Sequence, residues 1–174
     1  TLTTNSREVV GNRIPDLYGS LTNDFRYKGF DLSILTTYSI GGEMLDGVYG
    51  SMMNVGYKGY VWHKNALRRW QKPGDITDVP KIMWDQQIRV TDQDLINASY
   101  FAIKNITLGY TLPKELTQKA YINNARVYVS GDNLFMFSAA PGIDPSMSLT
   151  GGMDVDAYSY PVMRTISIGV NVTF

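Results

Sequence analysis

Thr165-Ile166-Ser167-Ile168-Gly169-Val170-Asn171-Val172-Thr173-Phe174 decides the fold class. Ile166, Ile168, Val170, Val172 and Phe174 alternate with Thr165, Ser167, Gly169, Asn171 and Thr173. Successive side chains of a strand point to opposite sides, so a strict period of two predicts a β-strand with one apolar and one polar face. A membrane-spanning barrel strand needs only about 9–11 such residues, and this run is long enough.

The same pattern recurs upstream. Leu17, Gly19, Leu21, Phe25 and Tyr27 share one parity, broken by Asn23, while Ser20, Thr22, Asp24 and Arg26 share the other. After Lys28-Gly29, Phe30, Leu32, Ile34, Tyr38 and Ile40 alternate with Asp31, Ser33, Thr37 and Ser39. Two alternating runs separated by a residue pair ending in Gly predict a tight hairpin. A third strand is expected over Ile103 to Leu112, with Ile106, Leu108 and Tyr110 opposite Asn105, Thr107, Gly109 and Thr111. Phe101 and Ile103 fall on the wrong parity for that strand, so either a bulge lies near Lys104 or the strand top stands clear of the membrane. A fourth strand is expected from Ala125 to Phe137. The polar faces carry mostly Ser, Thr, Asn and Gly with scattered charges, which suits a crowded, water-lined interior better than a surface in bulk water.

Connection lengths extend the argument. The links are two residues (28–29), about 58 (41–98), about 12 (113–124) and about 25 (138–162). Outer-membrane barrels place short turns on the periplasmic rim and long loops outside. A connection of about 58 residues is anomalous within a compact domain and ordinary on the outer rim of a barrel. Five strands cannot close a membrane barrel, so the expectation is a segment continued by further strands before Thr1 or by another chain. The run at Thr1 lacks a charged n-region and an apolar h-region, so any export signal is expected upstream.

Composition limits the function. Sixteen basic residues balance sixteen acidic ones, which leaves no electrostatic footprint for a nucleic-acid partner. No run of about 18 apolar residues occurs, which excludes helical membrane spans. There is no cysteine and His63 is the only histidine, so thiolate metal sites and Cys/His pairs are impossible and a Ser/His/Asp set would hang on one loop residue. No phosphate-cradling Gly loop is present. An enzyme is not expected, nor is a cofactor.

Three blocks, Ile103-Lys104-Asn105-Ile106-Thr107-Leu108-Gly109-Tyr110-Thr111-Leu112-Pro113, Arg126-Val127-Tyr128-Val129-Ser130-Gly131-Asp132-Asn133-Leu134-Phe135, and Tyr160-Pro161 to Arg164-Thr165 running into Gly169 to Phe174, resemble the C-terminal region of SusC/RagA-type TonB-dependent outer-membrane transporters. Arg69-Trp70-Gln71-Lys72-Pro73-Gly74-Asp75 with Val79-Pro80, and the hairpin Tyr27-Lys28-Gly29-Phe30-Asp31-Leu32, are similar to that family too. Met163 departs from its pattern. The resemblance implies an all-β transmembrane antiparallel barrel of 22 strands, of which these are the last five, in the bacterial outer membrane. It implies an N-terminal plug and energy coupling through TonB, both carried outside these residues. It further implies a SusD-like lipoprotein lid, oligosaccharide or oligopeptide as substrate, and allows a dimer of transporter–lipoprotein pairs. Two readings from other classes stay open: a non-transporting barrel that anchors an adhesin or scaffold, and a soluble β-sandwich carbohydrate-binding module.

Candidate residues follow. Ile168, Val170, Val172 and Phe174 are expected to form the signal read by the barrel-assembly machinery. Tyr18, Tyr27, Phe30, Tyr38 and Tyr110 lie near strand ends, where amphipathic rings gain from the membrane interface. Asp24, Arg26, Asn105 and Arg126 are expected to line the lumen or touch the plug. Residues 60–72 predict a short loop helix stopped by Pro73-Gly74. Trp62, Trp70 and Trp84 fall in the long loop, where stacking on a sugar ring competes with the commoner roles of packing within the loop or against the lid. Asp92 and Asp94, like Asp154 and Asp156, have a spacing that could serve calcium, although solvated loop carboxylates are the commoner outcome.

Overall fold

A computed structural model describes residues 8–53, 59, 61–82, 91–139, 142–147 and 162–174. Seven strands occur among them: β1 (Leu17–Tyr27), β2 (Phe30–Ile40), β3 (Glu43–Leu45), β4 (Leu95–Asn97), β5 (Tyr100–Thr111), β6 (Asn124–Ser138) and β7 (Thr165–Thr173). Five form one antiparallel sheet in the order β1-β2-β5-β6-β7, and β3 pairs with β4 in a separate two-stranded sheet. The chain winds through the large sheet as an up-and-down meander, interrupted only by the excursion that carries β3 and β4.

The β1–β2 hairpin turns on Lys28 (φ 46°) and Gly29 (φ 87°). Positive φ at both turn residues matches the right-handed twist of the flanking strands, and glycine takes such a φ without steric cost. The Gly29 carbonyl also accepts the Thr111 N–H at 2.8 Å, which ties the turn to β5. The link between β5 and β6 shares this rim; the longer connections 41–99 and 139–164 share the opposite one. Short and long connections therefore alternate, as the spacing predicts.

The register sorts the side chains onto two faces. Phe25, Leu32, Leu108, Val129 and Ile168 form one row across all five strands. Asp24, Ser33, Thr107, Ser130 and Ser167 form the neighbouring row on the other face. Of the two readings of the parity break, the bulge near Lys104 is the one present: Ile103 and Asn105 pair with the adjacent residues Thr36 and Leu35 of β2, leaving Lys104 as the extra residue. On β6 the same step spans Asp132 to Phe135, with Asn133 at φ 51°. This bulge returns Ile103 and Phe101 to the apolar face, opposite Thr36 and Tyr38. β5 consequently begins at Tyr100, three residues earlier than its uninterrupted alternation indicates.

Neither large face is covered by a second sheet among the described residues. Ile168 is 77% exposed and Phe25 58%. A soluble sandwich would bury that apolar face against a facing sheet, so the β-sandwich alternative is set aside. Buried apolar residues instead collect in the long-loop region, where Met44 and Leu45 of β3 pair with Ile96 and Leu95 of β4. No helix of the described residues is long and apolar enough to cross a membrane, which says nothing about crossing by strands.

Candidate functional site

The polar face of the sheet holds the four residues expected to face a lumen. Asp24 and Arg26 on β1, Asn105 on β5 and Arg126 on β6 all have the parity of the Ser33–Thr107–Ser130 row. Two hydrogen-bonded groups organise this face.

The first lies near the Lys28-Gly29 rim. Arg126 reaches from β6 across β5 to Asp31 on β2, donating from Nε to Oδ1 at 2.9 Å and from Nη2 to Oδ2. A fork of two charge-assisted bonds of this kind sets geometry as well as attraction. The passage exists because residue 109, between the two strands, is glycine: a Cβ there would stand 2.6 Å from both Arg126 Nε and Asp31 Oδ1. Arg126 also lies 5.2 Å from the Tyr128 ring centre. Tyr128 in turn covers Gly169 on β7, where a Cβ would meet its phenol oxygen at 2.5 Å.

The second group lies deeper along the same face. Asn105 donates from Nδ2 to Ser130 Oγ (2.9 Å) and to Asp132 Oδ1 (2.7 Å). The Thr107 hydroxyl donates to Asn105 Oδ1 at 2.9 Å and lies 2.9 Å from the Ser130 hydroxyl. A ladder of short polar side chains bonded to one another, ending on the Asp132 carboxylate, is an orderly way to fix polar atoms on one face. Sequence reading singled out Asn105 and Arg126 but not their partners Asp31, Thr107, Ser130 and Asp132, nor Gly109 and Tyr128. Shared parity was the available signal; the register that joins them was not.

The apolar face carries most of the expected interface aromatics. Tyr27, Phe30 and Tyr110 stand in one row with Val127 and Val170 at the turn rim, and the Phe30 and Tyr110 ring centres are 4.5 Å apart. Tyr38 stands at the other end of the face, in a row with Phe101 and Phe137. Tyr18 is a correction: it pairs with Ser39 and so shares the face of Asp24 and Arg26, because it is an odd number of residues from Leu21 and Phe25. Ile168, Val170 and Val172 lie on the apolar face of β7, which among the described residues pairs with β6 alone. Phe174 follows in the same alternation and is 83% exposed.

In the long loop the expected helix is a five-residue 3₁₀ turn, Lys64–Arg68, shorter than the span 60–72. His63 caps it, its Nδ1 accepting the Asn65 N–H at 3.2 Å, and its ring meets Tyr49 edge-on at 5.0 Å. Trp62 is exposed, whereas Trp70 is half-buried, with its backbone N–H donating to the Val79 carbonyl and the Lys81 ammonium 5.8 Å from its ring. Trp84 lies outside the described residues, as do Asp154 and Asp156. Asp94 accepts the Thr91 N–H at 3.0 Å, a local capping role. Among the described residues no three potential ligand side chains gather to hold a metal ion.

Comparison with known proteins places this geometry. No family model matches the chain. TonB-dependent receptor P3 of Formosa agariphila is 30% identical over 181 residues, which covers 99% of this chain and 18% of that protein. TonB-dependent receptor SusC of Bacteroides thetaiotaomicron is 25% identical over 175 residues, covering 100% of this chain and 17% of that protein. Among solved structures, the RagAB peptide transporter matches with a TM-score of 0.83 and 26% identity, over 100% of this chain and 19% of the matched chain. The RagAB peptide importer in its "closed-closed" state gives 0.84 at 26% identity, again over 100% of this chain and 19% of that one. The chain thus spans less than a fifth of the length of these relatives. Matched along nearly its whole length in sequence and across all of it in fold, the chain belongs to the SusC/RagA-type TonB-dependent receptors, and its sheet is a segment of their outer-membrane barrel.

Proposed function

We propose that this segment forms wall of a TonB-dependent importer that carries nutrient oligomers across the bacterial outer membrane. The observation that carries the reading is the two-faced sheet. Its apolar rows suit lipid, and its opposite face offers a bonded polar ladder and a bridged Arg–Asp pair to a water-filled lumen. Asp24, Arg26, Asn105 and Arg126 line that lumen or meet a plug supplied by residues beyond this segment. The outer rim, built from the two long connections, meets a SusD-like lipoprotein lid, and Trp62, Trp70 and Trp84 are candidates for that contact or for substrate. TonB acts through the plug. Likeness to a peptide transporter supports oligopeptide as cargo, and the family resemblance allows oligosaccharide beside it. The segment performs no chemical step of its own.

The test is uptake by cells. Disrupting the gene for the full-length protein is expected to abolish energised uptake of one oligomer class, and a protonophore is expected to do the same in the wild type. A strain whose oligopeptide and oligosaccharide uptake both survive disruption would instead favour a barrel that anchors without transporting.

A further inference from the structure

The apolar face ends in an arginine. Arg164 has the parity of Ile166, Ile168 and Val170 and lies one residue before β7, at the long-connection rim. Its guanidinium carbon is 5.0 Å from the centre of the Phe135 ring. Phe135 belongs to the outward row with Ile103 and Thr36 and is itself 52% exposed. No carboxylate among the described residues pairs with Arg164. At the same height the bulged residue Lys104 lines a groove with Phe135, Phe137, Val162 and Asp144. Asp144 is engaged locally, accepting the Ser146 N–H at 2.9 Å.

An outward cation is costly at mid-depth in hydrocarbon and tolerated at the interface, where lipid phosphates lie. The Phe135 ring gives the Arg164 guanidinium a cation–π partner, and a guanidinium so placed can still make a planar, two-pronged contact with an anion. Phosphate oxygens are the anions a membrane offers at that depth. Below Arg164, Ile166 and Ile168 continue an apolar track against which acyl chains can lie.

We propose that Arg164 binds the phosphate of an outer-leaflet lipid whose acyl chains rest on Phe135, Ile166 and Ile168, with Lys104 on the far side of the same Phe135 ring's groove as a second cation. The site rests on the outward face being the lipid face. It would give the wall a bound lipid at its outer rim, beside the loops that the lid contacts.

The full-length protein in neutral detergent can be titrated with dioleoyl phosphatidic acid, dioleoyl phosphatidylcholine or inorganic phosphate, and bound lipid counted by native mass spectrometry. R164Q is expected to retain about fivefold less phosphatidic acid than wild type, the factor for one basic side chain at an anionic lipid surface. R164K should fall between them, phosphatidylcholine, whose phosphate is offset by its own choline cation, should lose less than phosphatidic acid, and inorganic phosphate should not compete. Equal retention of phosphatidic acid by R164Q and wild type would overturn the site, as would displacement by inorganic phosphate. If neither lipid binds the wild type, the lipid-facing reading falls as well. Should R164Q fail to assemble, F135L removes the stacking platform but keeps the residue apolar. It is expected to lower phosphatidic acid retention, and unchanged retention would equally overturn the proposal.

Discussion

Gly109 is the residue on which the polar face turns. A side chain there would occupy the path that Arg126 takes to Asp31, so the glycine and the ion pair form one unit. G109A should push the guanidinium off its fork, and R126A should remove it. Each is expected to cost about 1–2 kcal/mol in the full-length barrel, the usual worth of a charge-assisted bond that is partly solvated. Because both substitutions remove the same contact, the double variant should be little worse than either single one. Urea unfolding in detergent measures this, and additive losses would show that the glycine and the pair act separately. The partial exposure of both side chains, 27% and 28%, keeps the expected loss small. None of this was visible in the one-dimensional pattern, which marked Arg126 as inward but gave no reason to connect it with a residue 95 positions away.

At the scale of elements, local alternation was legible and pairing was not. β1, β2 and β7 follow from their period of two almost to the residue, and the Lys28-Gly29 turn from its flanking strands. The parity break at Phe101 and Ile103 left a bulge or a strand top clear of the membrane as readings, and the register decides for the bulge, whose extra residue keeps both on the apolar face. What escaped reading was non-local or irregular: β3 and β4 are three residues each and pair across an intervening 49 residues. Tyr18 was misassigned for a simpler reason, its nearness to a strand end having been weighed above its parity. The bulge makes a test. Deleting Lys104 should leave a barrel that still assembles, because β5 then pairs with β2 without interruption. Deleting Thr107 should not, because every residue from Tyr100 to Ile106 changes face. The outer-membrane level of each variant decides, and equal levels would deny the bulge its role. β7 offers another. Its outward Ile168, Val170, Val172 and Phe174 are proposed to be the strand read during assembly, so deleting Phe174 should lower the outer-membrane level of the full-length protein. Unchanged assembly would remove that assignment.

At the scale of the whole sheet, the described residues leave an apolar surface uncovered and two edges, β1 and β7, each paired on one side among those residues. In water both features invite aggregation; in a bilayer the surface is solvated by lipid and closure into a barrel pairs the edges. The alternation of faces is therefore the central claim, and it can be measured directly. These residues contain no cysteine, so single cysteines can be placed at Leu108, Val129 and Ile168 on one face and at Thr107, Ser130 and Ser167 on the other. In the full-length barrel, otherwise free of cysteine and reconstituted in lipid, each would carry a nitroxide label. The labels at 108, 129 and 168 should be relaxed by oxygen dissolved in the bilayer, and those at 107, 130 and 167 by a water-soluble nickel chelate. A face-independent response, or the reverse pattern, would contradict the account.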